Sequence, residues 1–245
     1  MEKLQIVILA AGKGKRMQGE NPKVLAPLRG RHMISHLLDS VKKAWKGKPI
    51  IIVGHLAEMV KTELGESYSY VLQSEQLGTG HAVLCAEDEC KGAEHIVVLS
   101  GDQPFISEET IKNLISKHLA SGSEITFTTT EVTDFNDWRK AFSGFGRVMR
   151  DSGEVVGIRE YKDATEEEKN IKEVNAGCYI FTAKWLWENL KKIKNQNAQK
   201  EYYLTDLFKI AHENNNKIET IKINPKEALG ANSKEELEIL ENLPI

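Results

Sequence analysis

Leu4-Gln5-Ile6-Val7-Ile8-Leu9-Ala10-Ala11-Gly12-Lys13-Gly14-Lys15-Arg16-Met17 decides how this chain folds. Leu4 to Ala10 is short, branched and apolar at successive positions, the pattern of a strand buried on both faces. Small residues, glycines and cations follow with no spacer. Glycines tolerate φ > 0 and let the backbone approach a ligand closely, and successive backbone N–H groups in such a loop can face anionic oxygens. The loop is not a P-loop, because no G-x-x-x-x-G-K-[ST] is present. Nor is it the dinucleotide fingerprint, because Met17 occupies the third glycine position of G-x-G-x-x-G.

Outward from this strand, helical and strand patterns alternate. Met33 to Trp45 has helical spacing, with Ile34, Leu37, Leu38 and Val41 on one face. Pro49 to Gly54, Tyr70 to Leu72, His95 to Ser100 and Ile125 to Glu131 read as strands. Leu56 to Leu64, Thr79 to Cys90 and Ser107 to Leu119 read as helices, the last with Ser107 as N-cap and two glutamates in its first turn. Such alternation implies right-handed crossovers and a mostly parallel sheet, whose ligands bind beyond the carboxyl ends of the strands. The loops after Ala10 and Ser100 lie there.

From about residue 132 the pattern shortens. Gly144 to Met149 and Val155 to Ile158 predict antiparallel strands around the turn Asp151-Ser152-Gly153. Lys162 to Lys169 predicts an exposed helix, Val174 to Phe181 a strand, Ala183 to Ile193 and Tyr203 to His212 helices, Ile218 to Ile223 a strand and Ser233 to Leu240 a helix. The expected fold class is therefore α/β: a Rossmann-like, mostly parallel mixed sheet flanked by helices, with a smaller antiparallel subdomain. We expect one domain over 1–245, with a first half over about 1–131, a second half over about 132–232 and a closing helix over 233–245.

The 245 residues carry a net charge of −3. Bulk charge gives no sign of a nucleic-acid or membrane partner. The apolar N-terminal run is too short for a signal peptide, and no run approaches the ~20 apolar residues that span a bilayer. Cys85, Cys90 and Cys178 show no C-x-x-C spacing, so buried free thiols and a reducing cytoplasm are expected. The seven histidines lack metal-ligand spacing, and His81 reads as structural.

Leu9 to Met17 followed by Pro22-Lys23-Val24-Leu25 resembles the signature of the nucleotide-diphospho-sugar pyrophosphorylases. More narrowly it resembles the uridyltransferase domain of the bacterial bifunctional N-acetylglucosamine-1-phosphate uridyltransferase/glucosamine-1-phosphate acetyltransferases. Val71 to Ala82, Gly101-Asp102-Gln103-Pro104, Gly144-Phe145-Gly146-Arg147, Glu160 to Ala164, Glu173 to Gly177, Glu201 to Asp206 and Gly230-Ala231-Asn232 continue the resemblance in family order.

The resemblance implies Mg²⁺-dependent transfer of UMP from UTP to a sugar 1-phosphate, best N-acetylglucosamine 1-phosphate, with release of pyrophosphate. Two polyanions must meet, so positioning and neutralisation matter more than a covalent nucleophile. By resemblance, Arg16 and Lys23 are the catalytic cations, and Leu9, Ala10, Ala11, Gly12 and Gly14 bind the nucleotide, Gly12 and Gly14 through backbone donors. Lys13 and Lys15 either touch phosphate or are solvated. Gln73, Gln76 and Gly78 would read uracil, whose edge differs from that of cytosine in donor and acceptor order. Thr79 either closes this loop or caps the helix after it. Asp102 and the distant Asn232 would hold one Mg²⁺. Taken alone, Asp102 reads as a turn residue and Asn232 as the residue ahead of a helix. Gly146, Glu160 and Asn175 would meet the sugar, with Tyr203 and Thr205 in its pocket; helix packing is the competing reading of the Tyr202-Tyr203-Leu204 run.

Ser100 stands where the best-known members carry an aromatic, Ala176 replaces a commoner Thr, and Ala231 a commoner Val. Ala176 adjoins the expected sugar contact, so these departures bear on sugar choice. The family's second half is a left-handed β-helix of hexapeptide repeats, and no [LIV]-G-x-x-x-x periodicity occurs here. No acetyltransferase domain and no β-helix-mediated trimer are expected.

Overall fold

The computed structural model describes residues 3–12, 14 and 21–244. Its frame is a nine-stranded sheet. The main path uses β1 (Leu4–Leu9), β4 (Ile50–Val53), β5 (Ser69–Leu72), β6 (His95–Ser100), β7 (Ile125–Glu131), β10 (Glu173–Thr182) and β11 (Ile218–Lys222), in the order β11-β7-β10-β6-β1-β4-β5. β8 (Arg147–Asp151) and β9 (Glu154–Arg159) form a hairpin that joins β10 through Val174 opposite Arg147. The antiparallel part is thus a branch of the main sheet. Ser152 and Gly153 both have positive φ, as a two-residue type I′ hairpin turn requires. A two-stranded ribbon, β2 (Pro27–Leu28) and β3 (Arg31–His32), stands apart.

β1 is parallel to β4 and β6, β4 to β5, and β11 to β7. β10 enters antiparallel between β6 and β7. Period-two alternation divides the buried strand residues between two cores. Ile6, Ile8, Ile51, Val97 and Leu99 face α1 (Met33–Ala44) and α4 (Glu108–Ser121), whose Leu37, Ile111 and Leu114 are fully buried. Val7, Ile50, Ile52, Ile96 and Val98 face α3 (Thr79–Leu84), α5 (Ala183–Leu190) and α6 (Asp206–Glu213). Short helices α2 (Ala57–Leu64), α7 (Pro225–Ala228) and α8 (Lys234–Asn242) complete the chain. Ser107 caps α4 as expected, accepting from the Thr110 N–H. No helix among the described residues is long and apolar enough to cross a membrane. Cys85, Cys90 and Cys178 are free thiols.

Three expected helices differ. Residues 162–169 instead hold two 3-10 turns, Tyr161–Asp163 and Glu168–Asn170, with Thr165 and Glu168 bonded reciprocally between them. The helix from Thr79 ends at Leu84 and continues as turns. The helix expected from Tyr203 starts at Asp206, because the backbone before it is already engaged: Tyr202 N–H donates to Leu77 O, and Leu204 N–H to the Thr79 hydroxyl.

Candidate active site

The register of the parallel strands places their carboxyl ends side by side. Leu9 lies opposite Ser100 and Ile52, and Val53 opposite Leu72. Backbone bonds carry this alignment into the loops: Ala10 N–H to Ile52 O, Gly101 N–H to Leu9 O and Gln73 N–H to Val53 O. A cleft of about 640 Å³ opens there. Leu9, Ala10, Ala11, Gly12, Gly14, Lys23, Gln73, Gln76, Gly78, Thr79, Asp102 and Asn232, all singled out from the sequence, line it. Arg16, Lys13 and Lys15 lie outside the described residues.

Three segments converge on the Lys23 ammonium, which donates to Asp102 Oδ2 at 2.6 Å and to Asn232 Oδ1 at 2.7 Å. Each segment is held by its own local chemistry. Pro22 precedes a 3-10 turn, Lys23–Leu25, whose Val24 and Leu25 are buried anchors. Gly14 has φ +57°, and a Cβ there would lie 2.8 Å from Lys23 Cβ, so only glycine lets the first loop pass this close. Asp102 is fixed by its neighbour: buried Gln103 donates to Ala176 O at 2.9 Å and to Ala228 O at 2.8 Å. Asn232 precedes α8, where Ser233 accepts from Glu236 N–H and Glu236 accepts from Asn232 N–H. This is a capping arrangement shifted by one residue.

The loop from Gln73 to Thr79 is equally determined. Gly78 has φ +116°, and a Cβ would lie 2.6 Å from Tyr202 O and 2.7 Å from Tyr202 N. Thr79 is not the cap of α3; that position is Gly78, and the Thr79 hydroxyl instead accepts from Leu204 N–H at 3.0 Å. Gln73, 3% exposed, donates from Nε2 to Gly78 O at 3.1 Å, and Gln76 Nε2 donates to Gln73 O at 3.0 Å.

A second cavity of about 660 Å³ holds Ser143, Gly144, Phe145, Glu160, Lys162, Gln199 and Asn232. It shares Lys162, Gln199 and Asn232 with the first. Lys162 Nζ donates to Gln199 Oε1, so two of the three shared lining residues are bonded to each other. Gly146 lies beside Glu160, whose carboxylate oxygens are 3.6 Å from where a Gly146 Cβ would be. Thr205 Oγ1 donates to Glu160 Oε1 at 2.7 Å. Burial raises the Glu160 carboxyl above its ordinary range, against the Thr205 hydroxyl and with the help of Asp206, Asp163 and Glu201. Tyr203 lines a third cavity, of about 470 Å³, with Glu160, Asp163 and Asp206. Asn175 lines none of these three. Its amide donates to Tyr179 Oη at 2.6 Å and accepts from Gly177 N–H, while its backbone N–H meets Gly146 O.

Sequence reasoning gave no role to Lys162, Gln199, Gln103 or Arg147. Lys162 lay inside a segment used for the resemblance, and its cationic type was a usable signal. Gln199 carried none. Arg147 is 1% exposed and donates to the carbonyls of Lys169, Phe142, Phe145 and Ser143 beneath the Tyr161 and Phe135 rings. It holds the loop around Gly146 from below.

A family model described as the MobA-like NTP transferase domain matches residues 6–200. The chain belongs to this family. It is therefore a nucleotidyltransferase, and the resemblance read from its motifs holds. It is 42% identical over 97% of its length to the bifunctional protein GlmU of Thermoanaerobacter pseudethanolicus, covering 50% of that protein. It is 48% identical over 85% of its length to GlmU of Fervidobacterium nodosum, covering 44% of that protein. The chain thus spans about half the length of these relatives. The fold is also that of a UDP-glucose pyrophosphorylase solved with UDP-glucose, at TM-score 0.80 and 20% identity over 99% of this chain and 98% of the other.

Proposed function

We propose that this nucleotidyltransferase moves UMP from UTP to N-acetylglucosamine 1-phosphate, giving UDP-N-acetylglucosamine and pyrophosphate. The observation that carries the reading is the Lys23 ammonium, held by Asp102 and Asn232 where the two chambers meet. The UTP base would lie along Gln73 to Thr79 and its phosphates along Leu9 to Gly14. The sugar would occupy the chamber of Glu160, and its phosphate would reach the α-phosphorus above Asn232. An oxygen of that phosphate forms the new bond to the α-phosphorus while the bond to the β-phosphate bridging oxygen breaks. Pyrophosphate carries the electron pair away. No protein nucleophile is needed; Lys23 neutralises charge as it builds, an effect whose loss typically costs about 10² to 10³ in rate.

The Asp102–Asn232 pair fits Mg²⁺. It already holds a cation between two hard oxygens, and no cluster of three or more His, Cys, Asp or Glu competes among the described residues. Two protein oxygens with water and phosphate completing the shell suit this ion. When bound, it would screen the phosphate oxygens and draw charge from them.

The test is pyrophosphate release with Mg²⁺ and UTP across the 1-phosphates of N-acetylglucosamine, N-acetylgalactosamine, glucose and galactose. A clear preference for the first is expected. Faster turnover of another sugar overturns the substrate assignment, and release with none overturns the reaction.

A further inference from the structure

Gln73 Nε2 has two partners: Gly78 O at 3.1 Å and His81 Nδ1 at 3.0 Å. A carbonyl oxygen only accepts, so the NH₂ side of the Gln73 amide must face Gly78. Its second hydrogen then goes to His81 Nδ1, which must carry a lone pair. That fixes the neutral tautomer with the proton on Nε2, 3.9 Å from Cys85 Sγ, a weak acceptor. Both amide hydrogens are consumed inside the protein. Gln73 Oε1 makes no hydrogen bond among the described residues, and Gln73 lines the cleft. The group offered to a ligand is therefore an acceptor.

We infer that His81 is the positioning residue for base selectivity: it holds the Gln73 amide so that the cleft presents an oxygen to an imide N–H. The inference rests on Gln73 reading the base. Uracil and thymine carry a donor at N3, whereas cytosine carries a lone pair there, which would face the Gln73 oxygen. Gly78 O and His81 Nδ1 both oppose rotation of the amide, and the loop carrying Gly78 is itself tied to Tyr202, whose N–H donates to Leu77 O and whose carbonyl accepts from Gly80 N–H. Removing His81 frees one of the two restraints.

The experiment measures kcat/KM for UTP, dTTP and CTP with wild type, His81→Leu, His81→Asn and Gln73→Leu. Loss of one neutral hydrogen bond corresponds to about a fivefold to tenfold change. His81→Leu should lower the UTP:CTP ratio by that factor and leave UTP:dTTP unchanged, since both bases carry the imide. General damage would lower all three rates and move neither ratio. His81→Asn, whose Oδ1 can stand in for Nδ1, should restore UTP:CTP. An unchanged UTP:CTP ratio in His81→Leu, or no recovery in His81→Asn, overturns the role of His81. Should wild type show no preference for UTP over CTP, or Gln73→Leu keep that preference, the reading of Gln73 falls and takes this inference with it. ¹⁵N NMR of the wild-type imidazole supplies a measurement independent of variant folding: Nδ1 should be unprotonated at pH 8, and a protonated Nδ1 overturns the assignment.

Discussion

Replacing Lys23 with Met should make the free protein less stable and a better binder of Mg²⁺. Lys23 and Asp102 are 14% and 17% exposed and 2.6 Å apart. At an effective dielectric of about 20, Coulomb's law gives about 6 kcal/mol of gross attraction at that separation. Desolvation and the entropy of the lysine side chain remove most of it, and residual exposure discounts the rest, leaving about 1–2 kcal/mol. In a chain of 245 residues that lowers Tm by about 2–8 °C. If the proposed Mg²⁺ site is right, the same ammonium would compete with the divalent ion for Asp102 Oδ2 and Asn232 Oδ1. Metal binding without nucleotide should therefore be about 5–30-fold weaker in wild type than in Lys23→Met, since 1–2 kcal/mol corresponds to that range. Thermal unfolding against Mg²⁺ reads both effects: the variant starts lower and gains about 2.7 kcal/mol when free metal reaches a hundred times its own Kd. Lys162→Met is the control, because it removes one charge from the same cleft without emptying the oxygen pair. Equal Mg²⁺ shifts in wild type and Lys23→Met, or an equal gain in Lys162→Met, refute the reasoning. On the proposed mechanism, turnover of Lys23→Met should nonetheless fall by about 10² or more, because the cation assigned to the reacting phosphates would be gone.

Gly78→Ala drives a methyl into the Tyr202 backbone at 2.6–2.7 Å from a residue at φ +116°; a loss of about 1–3 kcal/mol in urea unfolding and a raised KM for UTP are expected. Arg147→Met removes a donor from the carbonyls of Lys169, Phe142, Phe145 and Ser143; stability should drop by about 1–3 kcal/mol, with KM rising for the sugar phosphate and not for UTP. Asp206 is raised to about 6 by burial and by Asp163, and Glu160 is raised as well. Both hold protons more tightly folded than unfolded, so the stability they contribute is full below the unfolded carboxyl range of about pH 4 and is lost as pH rises, for Asp206 through about 6. Asp206→Asn should flatten that slope and stabilise the protein at pH 8 by about 1 kcal/mol after allowance for solvent screening, as read by Tm against pH.

Much of this was legible in the chain because the main signals are local. β1 announces itself through consecutive branched residues, α4 through Ser107 and two glutamates, and the hairpin through Asp151-Ser152-Gly153. What was lost depended on partners far away in sequence. Nothing near Tyr203 says that its helix must wait until Asp206; that is settled by Leu77 and Thr79, which claim the preceding backbone. Nothing near Thr79 says that its hydroxyl serves Leu204 instead of its own helix. Arg147 looked like one more basic residue, yet it is buried under two aromatic rings with carbonyls as its partners, an environment no charge pattern reveals.

The site itself shows why motif order carried further than any single motif. Lys23, Asp102 and Asn232 are separated by 79 and 209 positions from Lys23, and each alone has an ordinary local explanation. Their meeting depends on β10, which runs between β6 and β7 and brings Ala176 within reach of Gln103. Gln103 also grips Ala228, and the chain from there delivers Asn232 to the edge where β1 and β6 end. A chain with β10 docked elsewhere would keep the glycine loop, the acidic turn and the capped helix intact and still leave Asp102 facing water. The meeting of Lys23 with these two oxygens is thus a property of the strand order, and substitutions at Gln103 should disturb it without touching either oxygen.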